Sequence, residues 1–300
     1  MTLARRKRAP DFIVVGGARC GTTTLYSWLR AHAAVFMPAW KEPSYFLPHE
    51  VDYGVRSAVE YYGLFAEAGD RLVGEASAGY LADPTAPGRI RDELGDVRIV
   101  ILLRDPVARA FSLWRWMVGR GLEPIRSFEH ALGAETARER DPASMAGYRQ
   151  SIYDYLYLRS GFYSHQVEAY QRAFSDVLVL LSDDLAQQPQ GAFARVCAFL
   201  GVPPMPVMPG ASNESGMPRS VRSQVWARRG LHWLWDRTPT GATVAERGLW
   251  KAMELNQRFG PPTRIDPATA GRLREAYAPD IERTAQLARV DLSAWAPVPV

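Results

Sequence analysis

Residues 12–29 read FIVVGGARCGTTTLYSWL and decide the fold. A short apolar run, residues 12–15, ends in two glycines, and residues 25–29 return to an apolar pattern of helical spacing. The segment therefore predicts a buried strand, a glycine-rich loop and a helix in succession. Two further runs, Arg98–Leu103 and Val177–Leu181, are apolar almost throughout, which is typical of parallel strands covered on both faces. The sequence predicts an α/β fold with three layers around a parallel β-sheet.

The rest of the chain continues this alternation of apolar runs and helical spacing. Residues 72–73 form another short apolar run, which predicts a further strand. Residues 202–216 are rich in Pro, Gly, Ser and Met, which indicates an irregular connection before a helical C-terminal third. We expect a flexible basic tail over residues 1–10 and a single domain over residues 11–300. Helices are predicted after Gly21, over residues 106–118, over 148–174 and over 190–200, with Gly201 as the stop of the last one.

The composition favours a globular protein with an anionic ligand. Its 300 residues carry 36 basic and 32 acidic side chains, a net charge of +4 that requires no nucleic-acid partner. The two cysteines, Cys20 and Cys197, cannot form a disulfide framework, so we expect a reducing compartment and a cytoplasmic protein. No apolar stretch reaches the ~18 residues of a membrane span. The five histidines show no metal-ligand spacing, so no metal requirement is predicted.

The glycine-rich loop has the features of a phosphate-binding loop. Glycines let the backbone fold around an oxyanion with its amides pointing inward, and the N-terminus of the next helix adds a favourable dipole. In loops that bind nucleoside triphosphates a lysine follows the second glycine, whereas here Thr22 follows Gly21. A cation, Arg19, lies inside the loop instead. The residues predicted to contact the anion are Arg19, Cys20, Gly21, Thr22, Thr23 and Thr24.

A second anion site is predicted after the strand Arg98–Leu103. Arg104 follows this strand directly, and Pro106 suits the first turn of a helix that carries Ser112. At the carboxyl end of a strand in an open α/β sheet, Arg104 and Ser112 can converge on one phosphate. Asp105 leaves an alternative open, because a kinase-like enzyme can hold magnesium with an acidic residue at this point.

Both motifs resemble those of sulfotransferases that use 3′-phosphoadenosine 5′-phosphosulfate (PAPS), especially the heparan sulfate N- and O-sulfotransferases and their bacterial relatives. Residues 16–24 resemble the family's 5′-phosphosulfate loop. That loop commonly carries a lysine where this chain has Arg19, so an electrostatic role is implied and proton donation is not. The segment RIVILLRDPVARAFSLW, residues 98–114, resembles the family's 3′-phosphate site, which implies that Arg104 and Ser112 hold that phosphate.

The candidate catalytic base lies in residues 41–46, KEPSYF. They resemble the family segment KEPxFF, with Tyr45 in place of the usual phenylalanine. The resemblance implies that Glu42 faces the acceptor and removes its proton as a general base. The alternative is that Glu42 only pairs with Lys41 or with a nearby arginine.

Weaker similarities extend the resemblance over nearly the whole chain. Residues 73–80 resemble a segment that lines the acceptor cleft, but Ala76 stands where some heparan-type enzymes carry a lysine, which weakens the case for a highly sulfated polysaccharide. Tyr163 and Arg219 lie in segments similar to family segments that contact PAPS, with a core tyrosine as the alternative for Tyr163. The loop amides would also stabilise a thiolate at Cys20, which predicts a reactive thiol protected by bound nucleotide.

The resemblance implies an enzyme that moves the sulfuryl group of PAPS, by in-line displacement, to a hydroxyl or amine of a small-molecule, specialised-metabolite or carbohydrate acceptor. The second product would be 3′,5′-adenosine bisphosphate (PAP), and the predicted catalytic residues are Glu42 and Arg19. Two alternatives stay open. A P-loop kinase that uses ATP is disfavoured by the threonine after Gly21, and a nucleotide-binding protein without catalysis is disfavoured by Glu42. The oligomeric state is not predicted.

Overall fold

The structure, a computed structural model, describes residues 8–48, 54–141, 150–207, 217–237, 244–258 and 264–296. Five parallel strands form the central sheet: β1 (Phe12–Gly16), β2 (Val35–Phe36), β3 (Leu72–Ala76), β4 (Arg98–Leu103) and β5 (Val177–Leu181). Their order in the sheet is β2-β3-β1-β4-β5. The strand that precedes the glycine-rich loop, β1, therefore lies at the centre, paired with β3 on one side and β4 on the other.

Both faces of the sheet are buried, as the continuous apolar runs predict. Ile13 and Val15 of β1 belong to one hydrophobic cluster, and Phe12 and Val14 belong to a second cluster on the opposite face. Alternate residues of a strand point to opposite faces, so a strand that is buried on both sides must be apolar at every position. Helices cover both clusters, and the predicted three-layer α/β fold is confirmed.

Helices make up most of the remaining described chain, and a short antiparallel ribbon joins β6 (Met217–Pro218) to β7 (Gln257–Arg258). The helical C-terminal third is as predicted. No helix in the described ranges is both long and apolar enough to cross a membrane. The helices are α1 (Thr22–Ala31), α2 (Ala58–Gly63), α3 (Ala86–Leu94), α4 (Pro106–Gly119), α5 (Phe128–Gly133), α6 (Glu135–Arg140), α7 (Tyr163–Ala173), α8 (Ser182–Gln187), α9 (Pro189–Leu200), α10 (Val221–Arg237), α11 (Val244–Leu255) and α12 (Pro267–Ala288).

The single helix predicted over residues 148–174 is wrong. Residues 148 and 149 lie outside the described residues, and the rest forms two short 3₁₀ turns before α7 begins at Tyr163. Gly161 lies close to α12, because a Cβ atom there would come within 2.4 Å of the hydroxyl of Tyr277. The carboxylate of Asp280 then accepts the backbone N–H groups of Tyr163 and Ser164, which caps α7.

The structure describes only the last part of the predicted tail over residues 1–10. Residues 1–7 lie outside the described part of the chain. Arg8, however, donates a hydrogen bond of 2.6 Å to the backbone oxygen of Arg71, and Pro10 is buried. These contacts place Arg8 and Pro10 against the folded domain.

Candidate active site

The glycine-rich loop over residues 17–21, the candidate phosphate loop, begins where β1 ends. The register between β1 and β4 shifts between Val14 and Gly16, and the N–H of Gly17 donates to the carbonyl of Leu102 at 2.6 Å. Gly21 is the residue before α1 and has a φ of 93°, a left-handed conformation that glycine adopts without strain. Gly21 has no side chain to cap α1, so the first-turn amides point into the loop as donors for an anion.

The structure brings the loop cation and the second anion site together. The Nε–H of Arg19 donates to the hydroxyl oxygen of Ser112 at 3.2 Å, and a guanidinium N–H of Arg104 donates to the backbone oxygen of Arg19 at 3.3 Å. The pKa of Arg19 is lowered to about 10, first by burial and then by the charge of Arg104. Arg120 and Arg115 add to this effect. Because several cations repel one another here, an anionic ligand would stabilise the group.

Asp105, the residue that left a magnesium site open, has a structural role. Its carboxylate accepts the N–H of Ala108 at 2.8 Å and caps the N-terminus of α4. In the described residues there is no cluster of three or more His, Cys, Asp or Glu side chains able to hold a metal ion.

Two of the predicted ligand residues have side chains that are buried beneath the loop. The thiol of Cys20 is fully buried, and burial raises its pKa to about 11. The predicted thiolate is therefore wrong, and the backbone N–H of Cys20 donates to the carbonyl of Gly17 at 3.1 Å. Tyr163 is also buried, and its hydroxyl donates to the backbone oxygen of Arg104 at 2.9 Å. The structure thus favours the alternative that Tyr163 is a core residue. Its hydroxyl supports the backbone of Arg104.

The remaining predicted ligands differ in exposure. Thr23 is exposed and Thr24 half-buried on the first turn of α1, whereas Thr22 is buried. Arg219 is exposed and directly follows β6, and its backbone N–H donates to the carbonyl of Asn256 at 2.7 Å. A contact between Arg219 and a nucleotide stays a prediction.

Glu42 lies in the loop over residues 37–48 that follows β2, the Glu42 loop. Its N–H donates to the backbone oxygen of Ala76 at 3.0 Å, and it adopts a left-handed backbone conformation with φ of 63°. One carboxylate oxygen accepts the N–H of Ala78 at 2.6 Å, and the other pairs with the ammonium of Lys41. The side chain is 34% exposed. The predicted ion pair with Lys41 therefore exists, and the carboxylate still reaches solvent.

Ala78 joins the two halves of the site. Its N–H holds Glu42, while its backbone oxygen lies 2.5 Å from the point where a Cβ atom on Gly16 would stand. A side chain at Gly16 would therefore separate the phosphate loop from the segment that holds Glu42. A cavity of about 20 Å³, enough for about one water molecule, lies between Ala18 of the loop and Gly79 beside Ala78.

Sequence reasoning missed the buried carboxylate of Glu75, next to this junction. Glu75 is a β3 residue with 0% exposure. Its hydroxyl donors are Tyr61 and Ser77, each at 2.6 Å. The available signal was an acidic residue inside a strand that is otherwise buried, because such a group persists only where donors surround it.

Comparison with known proteins identifies the family. The model of the sulfotransferase domain matches residues 9–213, more than half of the chain. The chain belongs to the sulfotransferase family. Members of this family are PAPS-dependent enzymes, so the match confirms the predicted family and enzyme class, and the ATP-dependent kinase alternative is set aside.

Individual relatives agree with this assignment. The sulfotransferase domain is 28% identical over 204 residues to mouse heparan sulfate glucosamine 3-O-sulfotransferase 6, which covers 66% of this chain and 54% of that protein. It is 23% identical over 204 residues to the bovine bifunctional heparan sulfate N-deacetylase/N-sulfotransferase 2, covering 66% of this chain and 22% of that protein. The chain thus spans about half, or less, of the length of these curated relatives.

A solved structure matches the whole fold. The sulfotransferase from Alicyclobacillus acidocaldarius superposes with a TM-score of 0.69 at 27% identity, over 96% of this chain and 99% of that one. The helical C-terminal third, which lies beyond the family match, is therefore part of an architecture that the bacterial enzyme shares.

Proposed function

We propose that this protein transfers a sulfuryl group from PAPS to a hydroxyl or amine, with Glu42 as the general base and Arg19 as an electrostatic catalyst. The observation that carries the proposal is the junction at Ala78. There the carboxylate of Glu42 and the phosphate loop that starts at Gly16 meet at one backbone residue. A base and an anion site this close can act on the two partners of one transfer.

On the donor side, the loop amides and Arg19 would hold the 5′-phosphosulfate, and Arg104 with Ser112 would hold the 3′-phosphate. Ser112 accepts a hydrogen bond from Arg19 through its oxygen, which leaves its own hydroxyl proton for the phosphate. The cation cluster that lowers the pKa of Arg19 supplies the charge that an adenosine bisphosphate needs.

On the acceptor side, Glu42 would remove the proton as the acceptor oxygen or nitrogen attacks sulfur. The bond between sulfur and the 5′-phosphate oxygen breaks, and its electron pair leaves on that oxygen of PAP. Arg19 and the loop amides stabilise the negative charge on the departing oxygen. Lys41 and the N–H of Ala78 orient the Glu42 carboxylate toward the cleft from two sides.

For the acceptor we propose a small molecule, a specialised metabolite or a carbohydrate of low charge. Alanine at position 76 supplies no cation that would bind a highly sulfated chain. A cytoplasmic location and the lack of a nucleic-acid partner remain predictions from the composition.

Radiolabelled PAPS tests the proposal directly. The protein is incubated with [³⁵S]PAPS and a panel of 4-nitrophenol, N-acetylglucosamine and glucosamine, in excess EDTA. We expect a labelled acceptor and stoichiometric PAP, because the residues that would bind and transfer the group need no metal. Calorimetry with PAP, and with ATP plus magnesium as the control nucleotide, should give binding for PAP only. A complete loss of transfer in EDTA that magnesium restores would contradict the mechanism.

A further inference from the structure

Glu75 is the centre of a hydrogen-bonded group beneath the Glu42 loop. One carboxylate oxygen accepts the hydroxyl of Tyr61 and the other accepts the hydroxyl of Ser77, both at 2.6 Å. The hydroxyl of Tyr80 lies near the same carboxylate and favours its charged form, which lowers the pKa of Glu75. All of these groups are buried, so the carboxylate has only protein donors to replace water.

The hydroxyls of Ser77 and Tyr80 connect the surroundings of Glu75 to the Glu42 loop. The oxygen of Ser77 accepts the backbone N–H of Ser44 at 3.0 Å, and the oxygen of Tyr80 accepts the backbone N–H of Phe46 at 3.3 Å. A hydroxyl carries one proton and two lone pairs. When Glu75 is ionised it accepts the proton of Ser77, so the Ser77 oxygen must turn a lone pair toward the Ser44 amide.

The loop needs such support because of its backbone conformation. Glu42 and Ser44 both have positive φ, 63° and 52°, although neither is glycine. Non-glycine residues in this region are strained and persist only where the surroundings hold them. Besides its link to Ser77, Ser44 donates its hydroxyl to the backbone oxygen of Glu42 at 3.3 Å, so a constraint on Ser44 reaches Glu42 directly.

We propose that Glu75 is a positioning residue for sulfuryl transfer: acting through Ser77 and Tyr80, its carboxylate holds the loop that directs Glu42 into the cleft. This inference rests on the proposed role of Glu42 as the base. Glu75 does not touch the reacting atoms, and its effect is on the rate of transfer rather than on the binding of the nucleotide.

The charge state of Glu75 gives the proposal a pH signature. Burial raises the pKa of Glu75 to about 7, against the opposing effect of the hydroxyl donors, and the nearby charge of Glu42 adds to the rise. The groups that face the carboxylate are Tyr61 from α2, Tyr80 from the turn after β3, Tyr170 from α7 and Glu42 itself. Below about pH 7 the protonated carboxyl becomes a donor and no longer fixes the Ser77 hydroxyl as an acceptor.

The decisive variant is Glu75→Gln, which keeps the size of the side chain and removes its charge. We expect kcat to fall roughly 10- to 100-fold, the usual cost of displacing a reacting group by about an ångström. The Kd of PAP should stay unchanged. The rise of kcat through about pH 7 should disappear in the variant, and hydrogen exchange at the amides of Ser44 and Phe46 should accelerate. Transfer is followed as PAP release from PAPS with 4-nitrophenol as the acceptor probe.

Tyr62→Phe is the matched control, because Tyr62 lies on the same helix as Tyr61 but donates its hydroxyl to Glu93. It should leave kcat, the pH profile and the exchange of both amides unchanged. Ser77→Ala and Tyr80→Phe each remove one link while retaining Glu75. Each should accelerate exchange at its own partner amide and lower kcat.

Several outcomes would overturn the proposal. If folded Glu75→Gln keeps the wild-type kcat and pH profile, or loses PAP affinity in proportion to kcat, Glu75 does not position the base. If Glu75→Gln fails to fold, unchanged exchange at Ser44 in Ser77→Ala leads to the same conclusion. Glu42→Gln is measured in parallel: retained turnover there would refute the base assignment itself, whereas lost turnover there beside normal Glu75→Gln would refute only the positioning role.

Discussion

The two halves of the site are built in different ways. On the donor side, Arg19 and Arg104 follow the carboxyl ends of adjacent central strands, β1 and β4, and their position depends on sheet register. On the acceptor side, Glu42 lies in a loop of strained backbone held by buried hydroxyl groups. Strand pairing involves many residues and tolerates single changes, whereas the Glu42 loop depends on a few side chains. Substitutions on the donor side and on the acceptor side should therefore have separate and different effects on activity.

The largest expected effect is on turnover. Glu42→Gln keeps the shape of the side chain but removes the base, so kcat should fall by about 10² to 10⁴. The Kd of PAP, measured by calorimetry, should stay close to that of the wild type because Glu42 is assigned to the acceptor. Glu67→Gln, on the exposed end of the segment after α2, is the control and should retain both values. Near-normal turnover in Glu42→Gln would require another base.

The next effect is on stability and its sign follows from burial. Burial raises the pKa of both Glu75 and Glu135 to about 7 in the folded protein, from ordinary values near 4.5. The native state then binds more protons than the unfolded state between these pH values. Each group's stabilising contribution is full below about pH 4.5 and is lost as pH rises through about 7, by up to about 3 kcal/mol.

Denaturant unfolding of Glu75→Gln and Glu135→Gln between pH 4.5 and 8 checks this expectation. Relative to wild type, each variant should gain stability as pH rises. Only Glu75→Gln should also alter the pH profile of turnover, because Glu135 accepts the N–H groups of Leu158 and Arg159, away from the Glu42 loop. Identical slopes in wild type and both variants would show that neither carboxyl titrates in this range.

A smaller effect is expected on nucleotide affinity. Arg104→Ala should weaken PAP binding by roughly 1.5 to 3 kcal/mol, or about 10- to 150-fold, because a charge-assisted contact to the 3′-phosphate is lost. Arg98→Ala is the matched control at the opposite end of the same strand, where Arg98 donates to the carbonyl of Leu200. Equal PAP affinity in the two variants would remove Arg104 from the phosphate site.

The smallest effect is expected on thiol reactivity. Cys20 and Cys197 are both buried, and burial raises the pKa of each. A thiol reagent such as 5,5′-dithiobis(2-nitrobenzoic acid) should therefore modify neither residue in the native protein, and PAP should change this little. Both should react in guanidinium chloride. Rapid modification of native Cys20 that PAP blocks would instead support an open loop.

The donor side could be predicted from the sequence because its chemistry lies at strand ends. Apolar runs located β1 and β4, and the residues after each run had to meet at one edge of the sheet. Side-chain direction within the loop could not be predicted, which is why Cys20 was expected to face a ligand. The helix expected over 148–174 was wrong because contacts with a segment more than a hundred residues away hold this chain: the hydroxyl of Tyr277 donates to the carbonyl of Leu158, and Asp280 caps α7.

The acceptor side was predicted only in part. The KEPSYF segment indicated Glu42 by resemblance, and the structure confirms the alternative contact with Lys41 without excluding the base role. No pattern in the sequence indicated that Glu75 would reach the Glu42 loop, because that link passes through hydroxyl groups of two other residues. Hydrogen bonds between side chains distant in sequence leave no periodic pattern.

The capping of α7 by Asp280 has a consequence for the order of folding. Arg104, beside the glycine-rich loop, is supported by the hydroxyl of Tyr163, and the first turn of α7 is capped by Asp280. Because synthesis runs from the N-terminus, residues 16–24 emerge from the ribosome long before α12. The nascent chain must therefore carry this loop without its full support until α12 has emerged and docked.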